Sequence, residues 1–245
     1  MENKIREFGL IGHPVAHSFS PDFFAKKFES EHISACYRAF DLENINDFPA
    51  LLELYPSLEG LNVTIPHKES VIPYLDQLSI EAERIGAVNC ISIRDGKLAG
   101  YNTDWLGFQQ SLEPLLKDGM KALVLGNGGA SKAVQFALTQ MDIPFLLIVR
   151  RQNENAITYE DLNEAIMQDH LVIINTTPLG MHPFENEMPA LPYSMLTASH
   201  VLYDLVYNPA ETRFLREGKS KGCVTKNGYE MLVLQAEASW KIWKA

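Results

Sequence analysis

Cysteine is scarce: Cys36, Cys90 and Cys223 are the three in 245 residues. They are scattered and form no CxxC pair, which excludes a disulfide framework and a cysteine zinc pattern. Each reads as a small, partly buried apolar residue, and no metal site is expected. Also missing is any run of about 18 apolar residues, so no membrane span is predicted. The N-terminus, Met1-Glu2-Asn3-Lys4-Ile5-Arg6-Glu7, has no apolar core followed by a small-residue cleavage site. That makes the cytoplasm the default address. Positive charge is in deficit, with 21 Lys and Arg against 31 Asp and Glu, a formal net charge of -10. An acidic chain without a basic stripe is a poor nucleic-acid binder, because phosphate contacts supply most of that affinity. Any anionic ligand must therefore meet a local cluster of cations or amide N–H groups. The sequence has no internal repeat and no low-complexity segment.

What remains is an ordinary globular composition, 46% hydrophobic, enough for a sizeable core. The length allows one large domain or two of ordinary size. Residues 1 to about 100 alternate strands with helices, with strands expected at 8–12, 36–41 and 60–65. A hairpin of 87–94 with 97–100 turns at Asp95-Gly96. From Lys121 the pattern becomes βαβ. Ala122-Leu123-Val124-Leu125 is an unbroken apolar run suited to a strand covered on both faces. A Gly-rich turn, an Ala-rich helix at 131–140 and a strand at 145–149 follow. Thr158 is placed to cap a helix reaching Met167. Further strands are expected at 171–175 and 201–206, and a C-terminal helix at 228–243. The fold class is α/β: an N-terminal α/β domain, then a doubly wound Rossmann-type domain. The stretch 101–116 links them, with Asp104 opening a helix whose Phe108, Leu112, Leu115 and Leu116 have helical spacing.

Five short segments carry chemistry. Gly126-Asn127-Gly128-Gly129-Ala130-Ser131 sits between a strand and a helix, where bare backbone and free helix-start amides suit a pyrophosphate; a tight turn with no ligand is the plain alternative. The strand after it ends in Arg150-Arg151, not in the acid that would bind a ribose 2′-hydroxyl. Two guanidiniums there suit a 2′-phosphate, so NADP is favoured over NAD, although paired arginines also occur as solvated surface groups. In Asn62-Val63-Thr64-Ile65-Pro66-His67-Lys68, Asn62 and Thr64 share the polar strand face. Lys68 lies just beyond and is able to protonate an alkoxide; most lysines are surface groups, and His67 reads as structural. In Asn102-Thr103-Asp104, Asp104 is either a helix cap or a carboxylate paired with Lys68. In His17-Ser18-Phe19-Ser20-Pro21, Ser20 has the form of an N-cap with proline following, and the Ser18 hydroxyl is left for a ligand carboxylate.

In this order, together with Gly12-His13-Pro14, Gly86-Ala87-Val88-Asn89, Asn175-Thr176-Thr177-Pro178-Leu179-Gly180-Met181, Asp204-Leu205-Val206-Tyr207-Asn208-Pro209 and the segment 228–235, these segments resemble the shikimate dehydrogenase family over nearly the whole chain. The resemblance implies reversible NADPH-dependent reduction of 3-dehydroshikimate to shikimate, within aromatic amino acid (chorismate) biosynthesis. It implies Lys68 and Asp104 as the catalytic pair, and Ser18 and Ser20 as the serines on the substrate carboxylate. Asn62, Thr64, Asn89, Asp104, Tyr207 and Gln235 would meet the substrate ring. Gly126, Asn127, Gly128, Gly129 and Ala130 would form the pyrophosphate loop, with Arg150 and Arg151 at the adenosine phosphate. Thr176, Gly228 and Met231 would line the nicotinamide side.

The domains implied are a substrate-binding one at 1–102, completed by the helix at 228–245, and an NADP-binding one at 103–227. The partner is a small molecule, with no nucleic acid or membrane, in a monomer or homodimer. The chain departs from the family pattern in two places: Val149-Arg150-Arg151 stands where Asn-Arg-Thr is usual, and Cys90 where threonine is common. A quinate/shikimate dehydrogenase of broader substrate and cofactor use is the neighbouring alternative. A non-catalytic sensor of NADPH or shikimate is the alternative from another class, disfavoured because Lys68 and Asp104 are both present.

Overall fold

Short apolar strands and amphipathic helices alternate from the first described residues onward, as the period of the sequence dictates. The computed structural model describes residues 5–16, 18–151 and 154–245. His17, although part of a quoted motif, lies outside them. Two compact units make up the chain: residues to Thr103 with Gln235–Ala245, and Asp104–Leu234.

The first unit contains β1 (Arg6–Gly12), α1 (Phe19–Ser30), β2 (Ala35–Asp41), α2 (Phe48–Leu54), β3 (Leu58–Val63), β4 (Gln77–Leu78), α3 (Ile80–Ile85), β5 (Cys90–Arg94) and β6 (Lys97–Tyr101). Its mixed sheet has the order β2-β1-β3-β5-β6-β4. β1 pairs in parallel with β2 and β3, whereas β5 runs antiparallel to β3 and β6. The β5–β6 hairpin turns where expected, with Asp95 and Gly96 both at positive φ (48° and 72°), as a two-residue primed turn requires. On one face of the sheet Leu61, Val63, Val88 and Ile91 join a core with Phe40 and Phe48. An aromatic cluster of Phe8, Phe24, Phe28, Trp240 and Trp243 forms another core of this unit. The last two come from α8 (Tyr229–Lys244), whose residues from Gln235 on belong here.

The second unit holds α4 (Asp104–Leu112), β7 (Ala122–Leu125), α5 (Gly129–Gln140), β8 (Phe145–Val149), β9 (Ile157–Thr158), α6 (Glu164–Asp169), β10 (Val172–Asn175), β11 (Val201–Asp204), α7 (Arg213–Ser220), β12 (Val224–Lys226) and the start of α8. Its sheet is parallel throughout, in the order β12-β11-β10-β7-β8-β9. Counted within the unit that is 6-5-4-1-2-3, the doubly wound order, with the reversal between β7 and β10. Ligands of such sheets sit beyond the carboxyl ends of the strands flanking that reversal.

Three local expectations are corrected. Ser20 is not the cap of α1: the helix starts at Phe19, with Ser18 at the N-cap and no side-chain cap bond. Pro21 fits because N–H groups of a first helical turn have no intrahelical acceptor in any case. Thr158 does not open a helix to Met167. Its N–H and hydroxyl both donate to Asp161 Oδ2, each at 2.7 Å, closing a single 3-10 turn. Leu162 then extends, and Asn163 caps the separate α6 by accepting from Ile166 N at 3.1 Å. Finally, β3 ends at Val63 rather than at residue 65, because Thr64 turns away to donate its N–H to Ile11 O at 2.9 Å. Among the described residues no helix is long and apolar enough to cross a membrane.

Candidate active site

In the first unit, alternation along β3 sends Leu61 and Val63 into one apolar core and leaves Asn62 for the opposite face. Asn62 is buried, and Tyr37 on β2 donates its hydroxyl to Asn62 Oδ1 at 2.7 Å. Asn62 Nδ2 in turn donates to Asn89 O at 3.1 Å and to Ser239 Oγ at 3.0 Å. Asn89, just ahead of β5, has its own amide engaged. Its Nδ2 donates to Thr103 Oγ1 at 2.9 Å and Gln235 Oε1 at 3.3 Å, while its Oδ1 accepts from Thr103 N at 2.6 Å. Gln235 and Ser239 are one helical turn apart on α8 and so share a face; Ser239 Oγ donates to Gln235 O at 3.0 Å.

Ser20 enters the same array through a hydrogen bond with Tyr37. Because the phenol hydrogen is committed to Asn62, Ser20 is the donor. Burial pushes the Tyr37 phenol well above its usual range, so it stays neutral. The result is a buried set of uncharged amides and hydroxyls, each able to donate and accept. That chemistry suits a ligand bearing several hydroxyls. Of the expected substrate groups, Ser20, Asn62, Asn89 and Gln235 are brought together here. Tyr37, Thr103 and Ser239 join them without having been singled out. Thr103 stood in a quoted motif, and Ser239 follows Gln235 at helical spacing; only Tyr37 left no signal.

The remaining groups of this unit sit around the turn after β3. Thr64 is half-buried, and Ser18 caps α1 without spending its hydroxyl on the helix. His67 is structural as expected: it is buried, with Nε2 on the Leu42 carbonyl. Its neighbour Lys68 is half-buried, with its backbone carbonyl fixed by Val88 N at 2.7 Å. In the second unit, Asp104 is the buried first residue of α4.

The second unit presents the Gly-rich turn at the end of β7. Gly126 has φ +100°, and a Cβ there would lie 2.9 Å from Thr177 Cγ2 and 3.0 Å from Thr176 Oγ1. Glycine is therefore required on both counts. Gly128, the N-cap of α5, contrasts with it: a Cβ there would meet nothing within 4 Å, and no side chain caps the helix. Bare backbone facing open space at the start of a twelve-residue helix fits a pyrophosphate, which needs close approach and free amides. Ser131 Oγ braces the turn by donating to Gly126 O at 2.6 Å, and Thr176 Oγ1 donates to Leu125 O at 2.6 Å. Asn127 is exposed and borders a recess of about 510 Å³ with Lys132, Gln135, Leu147, Glu154 and Asn155.

Arg150 and Arg151 are exposed past the end of β8. Burial pushes the Tyr159 phenol up to about 12, against the pull of the Arg150 guanidinium. The tip thus offers cations and no carboxylate in the ribose position, which fits a 2′-phosphate better than a bare ribose. Gly228 and Met231 have internal reasons to be where they are. A Cβ on Gly228 would come within 2.1 Å of Leu205 O. Met231 is buried in the core with Phe108, Val124 and Tyr203. Tyr207 is half-buried, and burial raises its phenol.

Residues 10–91 match the model of the shikimate dehydrogenase substrate binding domain. Shikimate dehydrogenase (NADP(+)) of Methanococcus maripaludis is 39% identical over 265 residues, spanning 99% of this chain and 93% of that protein. The chain belongs to the shikimate dehydrogenase family. Solved structures agree with the placement. Shikimate 5-dehydrogenase from Thermus thermophilus, in complex with NADP(H) and shikimate, superposes with a TM-score of 0.88 at 34% identity, covering 98% of this chain and 93% of that one. Shikimate dehydrogenase from Aquifex aeolicus gives 0.87 at 34% identity, covering 99% and 94%. The shikimate dehydrogenase family accounts for both units, since these likenesses extend far beyond the segment matched by the domain model.

Proposed function

We propose that this chain is an NADP-dependent shikimate dehydrogenase, reducing 3-dehydroshikimate to shikimate in aromatic amino acid biosynthesis. The observation that carries the reading is likeness along the whole chain to relatives bearing that name, with Lys68 and Asp104 both present. In this reading residues 1–102 with the helix at 228–245 bind substrate, and 103–227 bind the dinucleotide. Ser18 and Ser20 hold the substrate carboxylate. Asn62, Thr64, Asn89, Tyr207 and Gln235 hold the ring. The turn from Gly126 to Ala130 holds the pyrophosphate, Arg150 and Arg151 the 2′-phosphate, and Thr176, Gly228 and Met231 the nicotinamide side.

NADPH, when bound, supplies the hydride that reduces the C3 ketone. Lys68 gives its proton to the alkoxide oxygen that results, and Asp104 orients the lysine. The uncharged amides of Asn62 and Asn89 orient the ring without competing for that proton. The test is oxidation of NADPH on addition of 3-dehydroshikimate, repeated with NADH, and in reverse with shikimate and quinate. Turnover with NADPH well above that with NADH, and with shikimate above quinate, is expected. No turnover with either nucleotide overturns the proposal.

A further inference from the structure

The chemistry above leaves unused one buried carboxylate, Asp204 at the end of β11, which has no solvent exposure. Three donors converge on it: Asn175 Nδ2 at 2.9 Å and Val206 N at 3.0 Å reach Oδ1, and Thr212 Oγ1 at 2.6 Å reaches Oδ2. A buried carboxylate is acceptor-only and so dictates which way round the Asn175 amide must sit. With Nδ2 committed to Asp204 and to Leu179 O (3.2 Å), Asn175 Oδ1 faces the following residues, where it accepts from Thr177 N at 3.1 Å and Thr177 Oγ1 at 2.6 Å. Thr177 Cγ2 and Thr176 Oγ1 are the atoms that stand 2.9 and 3.0 Å from a Cβ position on Gly126. Every step of this chain of contacts lies within the second unit.

We infer that Asp204 is a positioning residue for dinucleotide binding: by fixing the Asn175 amide it sets Thr176 and Thr177 as the wall against which the Gly126 turn rests. This rests on the NADP reading above, and it assigns Asp204, Asn175 and Thr177 a role that contact with a ligand would not reveal. Thr212 supplies the control. It caps α7, accepting from Leu215 N at 3.3 Å, and touches Asp204, but it has no part in orienting Asn175 toward Thr177. Removing its hydroxyl weakens the fold without releasing the wall.

The experiment is titration of wild type, Asn175→Ala, Asp204→Ala, Asp204→Asn and Thr212→Val with NADP+, followed by tryptophan fluorescence, together with thermal midpoints and steady-state constants. Asn175→Ala and Asp204→Ala should raise the NADP+ Kd about tenfold, the scale of one charge-assisted hydrogen bond. Their KM for NADPH should rise while KM for 3-dehydroshikimate holds. Asp204→Asn keeps an oxygen for Asn175 and should recover most of the affinity. Thr212→Val should lower the midpoint and leave Kd within about twofold, on the same scale. If Asp204→Ala does not fold, Asn175→Ala carries the test alone. Wild type that binds no NADP+ defeats the functional reading itself. Wild type that binds, with Asn175→Ala no looser than Thr212→Val, overturns the positioning role only.

Discussion

Replacing Asn89 by alanine should cost the first unit more than any other single change in its polar array. Asn89 is 3% exposed. Its side chain satisfies the Thr103 N–H at 2.6 Å and gives hydrogens to Thr103 Oγ1 and Gln235 Oε1. Alanine leaves one buried backbone donor and one buried amide oxygen without those partners, each costing about 1–3 kcal/mol. Together they cost on the order of 3–5 kcal/mol, a large share of the stability of an ordinary domain. Ser239→Ala is the internal comparison. Asn62 Nδ2 keeps the Asn89 carbonyl when Ser239 Oγ is lost, so about 1 kcal/mol is expected. Urea unfolding followed by tryptophan fluorescence reads both, since Trp240 and Trp243 pack in this unit. Hydrogen exchange at the Thr103 amide reads the orphaned group itself. An Asn89→Ala loss no greater than that of Ser239→Ala, with Thr103 still protected, would refute the reasoning.

Three further outcomes follow from the second unit. Gly228→Ala drives a methyl against the Leu205 backbone, which cannot step aside as a side chain can, so thermal denaturation should show a loss of about 3 kcal/mol or more. Changing Arg150 and Arg151 together to serine should lower kcat/KM for NADPH by about 10- to 100-fold and leave that for NADH little changed, because guanidiniums gain only from the 2′-phosphate. Burial raises the Asp204 carboxyl to about 6, with the Thr212, Val206 and Asn175 hydrogen bonds opposing. A raised carboxyl binds its proton more tightly when folded. Its contribution is therefore complete below the unfolded value near 3.8 and is lost as pH rises through about 6, amounting to roughly 3 kcal/mol. Unfolding measured from pH 4 to 7 should show that decline, and Asp204→Asn should flatten it.

Sequence reading reached furthest where one local rule sufficed. The apolar run at β7, the Gly-rich turn after it and the Asp95-Gly96 hairpin each declare themselves within a few residues. It fell short where a local signal had two outlets. Ser20-Pro21 is a good helix start one turn position late, and Thr158 found Asp161 three residues on before any helix formed. The polar array was legible only in part, since its members come from β2, β3, the approach to β5, the end of β6 and α8. Asn62 and Asn89 stood out by family likeness. Tyr37 did not, because a tyrosine in a strand looks like any other β-former until its hydroxyl has an acceptor. Asp204 and Asn175 appeared only as members of motifs, and their joint purpose needed the parallel register that sets Asn175 beside Asp204.

Catalysis in this reading depends on proton delivery by Lys68. Rapid-mixing measurement of NADPH oxidation by Lys68→Ala, with 3-dehydroshikimate affinity determined in parallel, tests it most directly. The expected result is a fall in kcat of about 10²- to 10⁴-fold with substrate Kd changed by no more than a few-fold. A variant that turns over as fast as wild type would contradict it.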